Sequence, residues 1–195
     1  MDSLLNFFMK VRRLSYIERC SNTPHIRPYN VSEHSYYIAL FAMVFADIEN
    51  HRAVKTYGEK IYDTSEVIKK ALIHDLEESV TGDILYPLHH NNENFKIALD
   101  IVRREAINTH VFKGLPQEIQ TYYIALWNSS KDYSKEGRLV ACMDKFEILM
   151  FAVHEIEMGN RAFSGLYDNA IYIINRDFDI ESVKEVIAEI KKIYS

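Results

Sequence analysis

Glycine and proline are scarce in this chain, 6 and 4 among 195 residues. Sandwiches and barrels need turn residues at short intervals, so an all-β fold is disfavoured. Cysteine is nearly absent. Cys20 and Cys142 stand far apart and in no ligand-like pair, which argues against a disulfide scaffold or a zinc ribbon. No apolar run is long enough to span a membrane. The opening Met1-Asp2-Ser3-Leu4-Leu5, soon charged at Lys10, Arg12 and Arg13, lacks the order of a secretory signal. The expected compartment is the cytoplasm. Positive charge is in deficit, 23 Lys and Arg against 28 Asp and Glu for a net −5, so neither a nucleic-acid nor a membrane partner is expected. Repeats, low-complexity tracts and a dividing linker are missing too.

What is there is ordinary globular material, 48% hydrophobic and 26% charged, of a length that suits one domain over residues 1–195. Helical periodicity recurs along it. A first helix is expected over about residues 2–19, with Leu4, Phe8 and Val11 on one side. Ser32 is a good N-cap, so a second should start there and run to about residue 50. A third spans about 64–79 and is broken by Thr81-Gly82-Asp83, with Pro87 keeping the loop irregular. A fourth covers about 93–112 and ends at Lys113-Gly114; Pro116 opens a fifth through Trp127. A sixth covers about 136–158, and two more fill about 161–175 and 180–194. The fold class is all-α, a globule of about seven to eight helices.

A few polar residues fall where these helices should be apolar. In the second, the expected inward stripe is Ile38, Phe41, Phe45 and Ile48, and one turn back from Ile38 lies His34. A single histidine on an apolar face more often bonds a backbone carbonyl than carries chemistry. In the third, Val67, Ile68, Ala71 and Leu72 define the buried face. His74 and Asp75 continue it, Glu78 projects between them, and Glu77 turns away. Acids in the last turns of a helix oppose its dipole, so a cation is expected to offset them. In the sixth, Asp144 interrupts the stripe of Val140, Ile148 and Phe151. Unpaired, it would be costly to bury, and Lys145 beside it does not face it on a helix. Either a shared cation or a basic partner from another helix must answer it. Together His34, His74, Asp75 and Asp144 offer two imidazoles and two carboxylates from three helices, a donor set for one divalent transition ion. Such an ion acidifies water and polarises a phosphoryl oxygen.

These segments also carry a resemblance. Arg13-Leu14 through Ile17-Glu18-Arg19, Asn30-Val31-Ser32-Glu33-His34-Ser35, His74-Asp75 with Glu78 and Thr81-Gly82-Asp83, and Met143-Asp144 occur in order. In this the chain resembles the HD-domain metal-dependent phosphohydrolases, and among them the YfbR-type 5′-deoxynucleotidases. The match runs from about residue 8 to 160; the helices over about 161–194 carry no such motif. The resemblance implies a homodimer that converts deoxynucleoside 5′-monophosphates to deoxynucleoside and phosphate. It implies one divalent metal on His34, His74, Asp75 and Asp144, cobalt or manganese foremost, with zinc, iron(II) or magnesium as alternatives. Asp75 and Glu78 are its implied catalytic carboxylates, Glu78 moving a proton near the scissile P–O bond. Arg19 binds the phosphate, which its planar guanidinium suits, and Asp83 lies near the sugar–phosphate end.

One position departs from the family. A tryptophan there follows the phosphate-binding arginine and is associated with selecting the 2′-deoxy sugar; here Cys20 stands in this substrate-binding place. A thiol is no such wall, so weaker discrimination against ribonucleotides is expected. Three other readings remain open. One is a deoxynucleoside triphosphate triphosphohydrolase, another a non-catalytic nucleotide sensor on the same scaffold. The third, a cyclic-nucleotide phosphodiesterase, would need a second metal. His89, His90 and His110 lie between the His-Asp pair and the last aspartate, but no acidic partner shares a face with them. They are read as loop or surface residues.

Overall fold

The computed structural model describes residues 3–84 and 92–194, so Pro87, His89 and His90 lie outside the described residues. Among the described residues there is no strand, only two isolated bridges. The helices are α1 (Leu4–Val11), α2 (Val31–Tyr57), α3 (Thr64–Ile73), α4 (Glu78–Thr81), α5 (Glu93–Ala106), α6 (Gln117–Asn128), α7 (Lys135–Glu157), α8 (Ser164–Asp177) and α9 (Glu181–Tyr194). The expected all-α globule is what forms, with local differences that matter for the site.

The first helix stops at Val11 and continues only as a 3₁₀ turn, Arg12–Tyr16. Arg19 therefore lies in the bend that follows, not on a helix. The second starts earlier than expected. Asn30, not Ser32, is its N-cap and accepts from the Glu33 amide at 3.0 Å. The expected third helix is two pieces. After Ile73 the backbone turns through His74–Glu77 and resumes as the single turn α4, which ends at Gly82 with φ +74°. Glycine tolerates that left-handed geometry without a Cβ clash. The fourth ends in a π turn, Ile107–Val111.

α2, α3 and α7 pack on one another, with α8 against α7 and α9 against α2. Along α2 the innermost row is Ile38, Ala39, Ala42, Phe45 and Ala46, while Ile48 is 37% exposed. The buried face is centred on Ala42 and Ala46, which leaves Ile48 beyond its edge. On α3, Leu72 is likewise exposed at 47%, while Lys70 is buried. The Lys70 ammonium keeps partners inside, Ser134 Oγ at 2.9 Å and Asp132 Oδ1 at 3.3 Å. Two apolar clusters result. One is built from α2, α3, α7, α8 and α9 around residues such as Ile38, Val67, Met143 and Ile174. The other gathers Leu14, Val31, Ile73, Leu76, Phe112 and Trp127. Each fully buried large apolar side chain in them stabilises the fold by about 1.5–3 kcal/mol. The His74–Glu77 turn lies between, with Ala71 in the first cluster and Leu76 in the second.

Candidate active site

Because α2 begins at Val31, His34 sits in its first turn, fully buried. Its Nδ1 meets Glu147 Oε2, and the Tyr29 hydroxyl, 3.0 Å from the same nitrogen, donates to the same carboxylate. The carboxylate accepts from Nδ1–H, so Nε2 is the lone-pair atom whenever the ring is neutral. His74 arrives at the same state by another route. Its Nδ1 lies 2.7 Å from the Ala71 carbonyl, which can only accept, so its Nε2 is also the lone-pair atom. Both Nε2 atoms are buried and neither has a hydrogen-bond partner. Such orphaned acceptors are costly in a protein interior and call for a ligand.

Carboxylates surround them. Asp144 Oδ1 is 3.2 Å from His34 Nε2, and His34, His74 and Asp144 each offer a donor atom within 4.8 Å of the others. Asp75 leans on both rings, its Oδ2 2.8 Å from His74 Nε2 and 3.6 Å from His34 Nε2. Burial lowers the His74 imidazole, which favours the neutral form a metal needs. Burial works to raise both aspartates, but their polar and charged neighbours outweigh it and hold them well below the usual carboxylate range: the His74 ring and the Lys131 ammonium for Asp75, Lys131 and Lys145 for Asp144. Four donors of this kind fit one divalent transition ion.

Glu78 opens α4 beside this group, buried, with its Oε2 unpartnered. Burial and then the Asp75 charge push its carboxyl well above the ordinary range, against the pull of Arg19. Arg19 is placed by a short antiparallel bridge, Glu18 with Asn30, and its amide donates to the Tyr29 carbonyl at 2.8 Å. Its Nη1 is 3.6 Å from Asp75 Oδ2, and the guanidinium lies 5.5 Å from the Tyr29 ring centroid. Cys20 follows with φ +54°, left-handed and uncommon for a non-glycine residue. Arg19, Cys20, Asp75, Glu78, Asp83 and Asp144 all line one cavity of about 690 Å³. Burial pushes the Cys20 thiol up to about 11.

One expectation about neighbouring charges holds and one is corrected. Glu77 turns off the histidine cluster, and it is buried at 2% exposure. Its Oε2 accepts from Trp127 Nε1 at 2.7 Å, and Arg103 Nε is 3.6 Å from Oε1. Lys145 does reach Asp144, Nζ to Oδ2 at 3.3 Å, because its long stem folds back. The basic partner of Asp144 from elsewhere in the fold is a lysine, Lys131, at 2.8 Å. Trp127 is engaged with Glu77 and does not line the cavity. His110 is exposed, as a surface residue should be.

Three residues escaped sequence reasoning. Glu147 lies one turn beyond Asp144 on the same face of α7, a spacing that could have revealed it. Tyr29 stacks on Phe151 with ring centroids 3.9 Å apart, a tertiary contact without a local signal. Lys131 sits in the turn between α6 and α7, where a lysine reads as a solvated charge.

The fold has known counterparts. An HD-domain phosphohydrolase from Listeria innocua superimposes with a TM-score of 0.79 at 24% identity, over 96% of this chain and 89% of that one. A cyanophage S-2L HD phosphohydrolase, solved with dA and one catalytic Zn²⁺ ion, gives 0.61 at 18% identity, over 95% and 94%. The fold is thus that of the HD-domain phosphohydrolases. At the sequence level, a 5′-deoxynucleotidase from Pectobacterium atrosepticum is 29% identical over 160 residues, 82% of this chain and 77% of that protein. The model of the YfbR-like 5′-deoxynucleotidase family matches residues 6–194, and the chain belongs to that family.

Proposed function

We propose that this protein is a metal-dependent phosphohydrolase that cleaves the 5′-phosphate ester of deoxynucleoside monophosphates, releasing deoxynucleoside and phosphate. The observation that carries the reading is the pair of buried, unpartnered Nε2 atoms of His34 and His74 facing Asp75 and Asp144. These four residues would hold one divalent ion. Cobalt and manganese suit a mixed nitrogen–oxygen set, as do zinc and iron(II). When bound, such an ion offsets phosphate charge and lowers the pKa of water at the site.

The chain's own residues supply the rest. Arg19 binds the phosphate with its planar donors, in the position where its charge already meets Asp75. Glu78, its carboxyl raised by burial and then by Asp75, is the acid placed to deliver a proton to the leaving 5′-oxygen. Asp83 and Cys20 line the same cavity and would meet the sugar. Glu147 and Tyr29 orient His34 and are positioning residues.

We also infer a cytoplasmic homodimer. Among the described residues no helix is long and apolar enough to cross a membrane. α1 exposes Leu4, Leu5, Phe8 and Met9, and α5 exposes Ile97, Ile101 and Val102, apolar faces that a second copy would cover. A second reading of the activity, triphosphate release from deoxynucleoside triphosphates, draws on Arg103 and Lys145, which bring further positive charge to the same cavity. One experiment separates the two. Ribo- and deoxynucleoside mono-, di- and triphosphates are offered with Co²⁺, Mn²⁺ or Mg²⁺, and phosphate is resolved from triphosphate. Release of phosphate from monophosphates alone supports the first reading; triphosphate as product replaces it with the second.

A further inference from the structure

Lys131 is the residue of the site that neither the motifs nor the family match explains. It sits in the short connection between α6 and α7, and its head reaches two carboxylates at once, Asp144 Oδ2 at 2.8 Å and Asp75 Oδ1 at 3.6 Å. Arg19 meets the other oxygen of Asp75, Nη1 to Oδ2, also at 3.6 Å. Asp75 is therefore bracketed by two cations, one on each of its oxygens. Both cations line the same cavity.

The connection that presents Lys131 is anchored unusually firmly. Asp132 Oδ1 accepts from the Ser134 amide at 3.1 Å and from buried Lys70 at 3.3 Å, and Lys70 also bonds Ser134 Oγ at 2.9 Å. Gly137, in the first turn of α7, presses against it so closely that a Cβ there would lie 2.2 Å from Asp132 Oδ1 and 2.7 Å from its backbone. The backbone at Lys131 is thus held, while its side chain remains 32% exposed along the cavity. A lysine so mounted carries a compact charge on a flexible stem, able to exchange one anionic partner for another.

A phosphate monoester near neutral pH carries close to two negative charges, and Arg19 alone answers one of them. We propose that Lys131 is the second arm of a phosphate clamp, gripping with Arg19, from the opposite side of Asp75, the phosphate of the substrate. In this account the ammonium leaves Asp144 for the phosphate once the carboxylates are engaged elsewhere. The inference rests on the phosphohydrolase reading above and adds to it a residue that sets affinity for the phosphate group.

The test uses cobalt-loaded protein and compares wild type with Lys131→Met and Lys131→Arg. Binding of inorganic phosphate and of cobalt is measured by calorimetry, and KM and kcat are measured on a deoxynucleoside 5′-monophosphate. Lys131→Met should weaken phosphate binding and raise KM by about 10- to 100-fold, with kcat changed far less. Lys131→Arg should recover much of the loss, since it restores the charge. Phosphate affinity within about twofold of wild type in Lys131→Met overturns the clamp. So does a fall in cobalt affinity large enough to account for the whole defect, which would make Lys131 a support for the carboxylates. Lys131→Gln replaces the methionine variant if thermal melts show that it does not fold. If wild type turns over no nucleotide, the proposed activity fails, while the phosphate titrations still decide the clamp.

Discussion

Glu77 and Glu78 are adjacent, buried to nearly the same degree at 2% and 3% exposure, and opposite in kind. Both carboxyls are raised, first by burial and then by the charge of Asp75; that of Glu77 reaches about 7. The difference lies in their partners. Glu77 is answered by the Trp127 indole and the Arg103 guanidinium, so it closes a polar contact inside the second apolar cluster. Glu78 keeps an oxygen with no donor, facing the cavity. A buried acid that is satisfied holds structure together. One left unsatisfied at a cavity is available for chemistry.

The sharpest way to break this contrast is to remove each acid in turn. Glu78→Gln should lower kcat by about 10²- to 10⁴-fold while leaving the melting temperature and metal content near wild type. A loss of metal with an unchanged rate per bound ion would instead make Glu78 a ligand. Glu147→Gln tests a satisfied acid that acts on the site at one remove. It leaves His34 without its carboxylate acceptor, and metal affinity measured by chelator competition should fall by about 10- to 100-fold. An unchanged affinity would detach Glu147 from the centre.

Glu77→Ala should act mainly on stability. It strands the Trp127 N–H and the Arg103 charge and should cost about 1–3 kcal/mol in denaturant unfolding, with activity of the folded fraction changed only a few-fold. Its pH dependence has a definite sign. In metal-free protein the carboxyl rises from 4.5 to about 7 on folding, so the native state holds the proton more tightly. The stability this contributes is complete below about 4.5 and is lost as pH rises through about 7. Glu77→Gln, which cannot ionise, should flatten that slope; an unaltered slope would assign it to other groups. The smallest effect is expected at Cys20. Cys20→Trp should strengthen discrimination against ribonucleotides by roughly 10-fold through their kcat/KM alone. A preference in the wild type as strong as in the variant would move sugar selection to another residue.

Much of this was legible along the chain. His34 and Asp144 each sit in a periodic apolar face, and His74 and Asp75 extend one, so a count of about 100° per residue finds them. The same count turns Glu77 off that face, as observed, but could not supply its partners Trp127 and Arg103, because it describes one continuous helix and no neighbour. α3 ends at Ile73, and beyond the His74–Glu77 turn angular bookkeeping no longer holds. Lys70 and Ile48 were missed for a related reason. Which face of a helix turns inward is set by where its neighbours pack, and on α2 that face is centred on Ala42 and Ala46 and leaves Ile48 outside.

By itself, then, the sequence determined the all-α class, the start of α2 within two residues, and the polar positions in the inward faces of the helices. These follow from local periodicity and capping, which act over one or two turns. Only the tertiary structure decided that Glu147 and Tyr29 fix the tautomer of His34, that Trp127 claims Glu77, and that Lys131 and Arg19 bracket Asp75. Those pairings join residues 50 to 118 positions apart, or loops to helices, and burial makes each unpaired polar atom costly. No local pattern records which distant partner will meet that cost; the packing of the helices settles it.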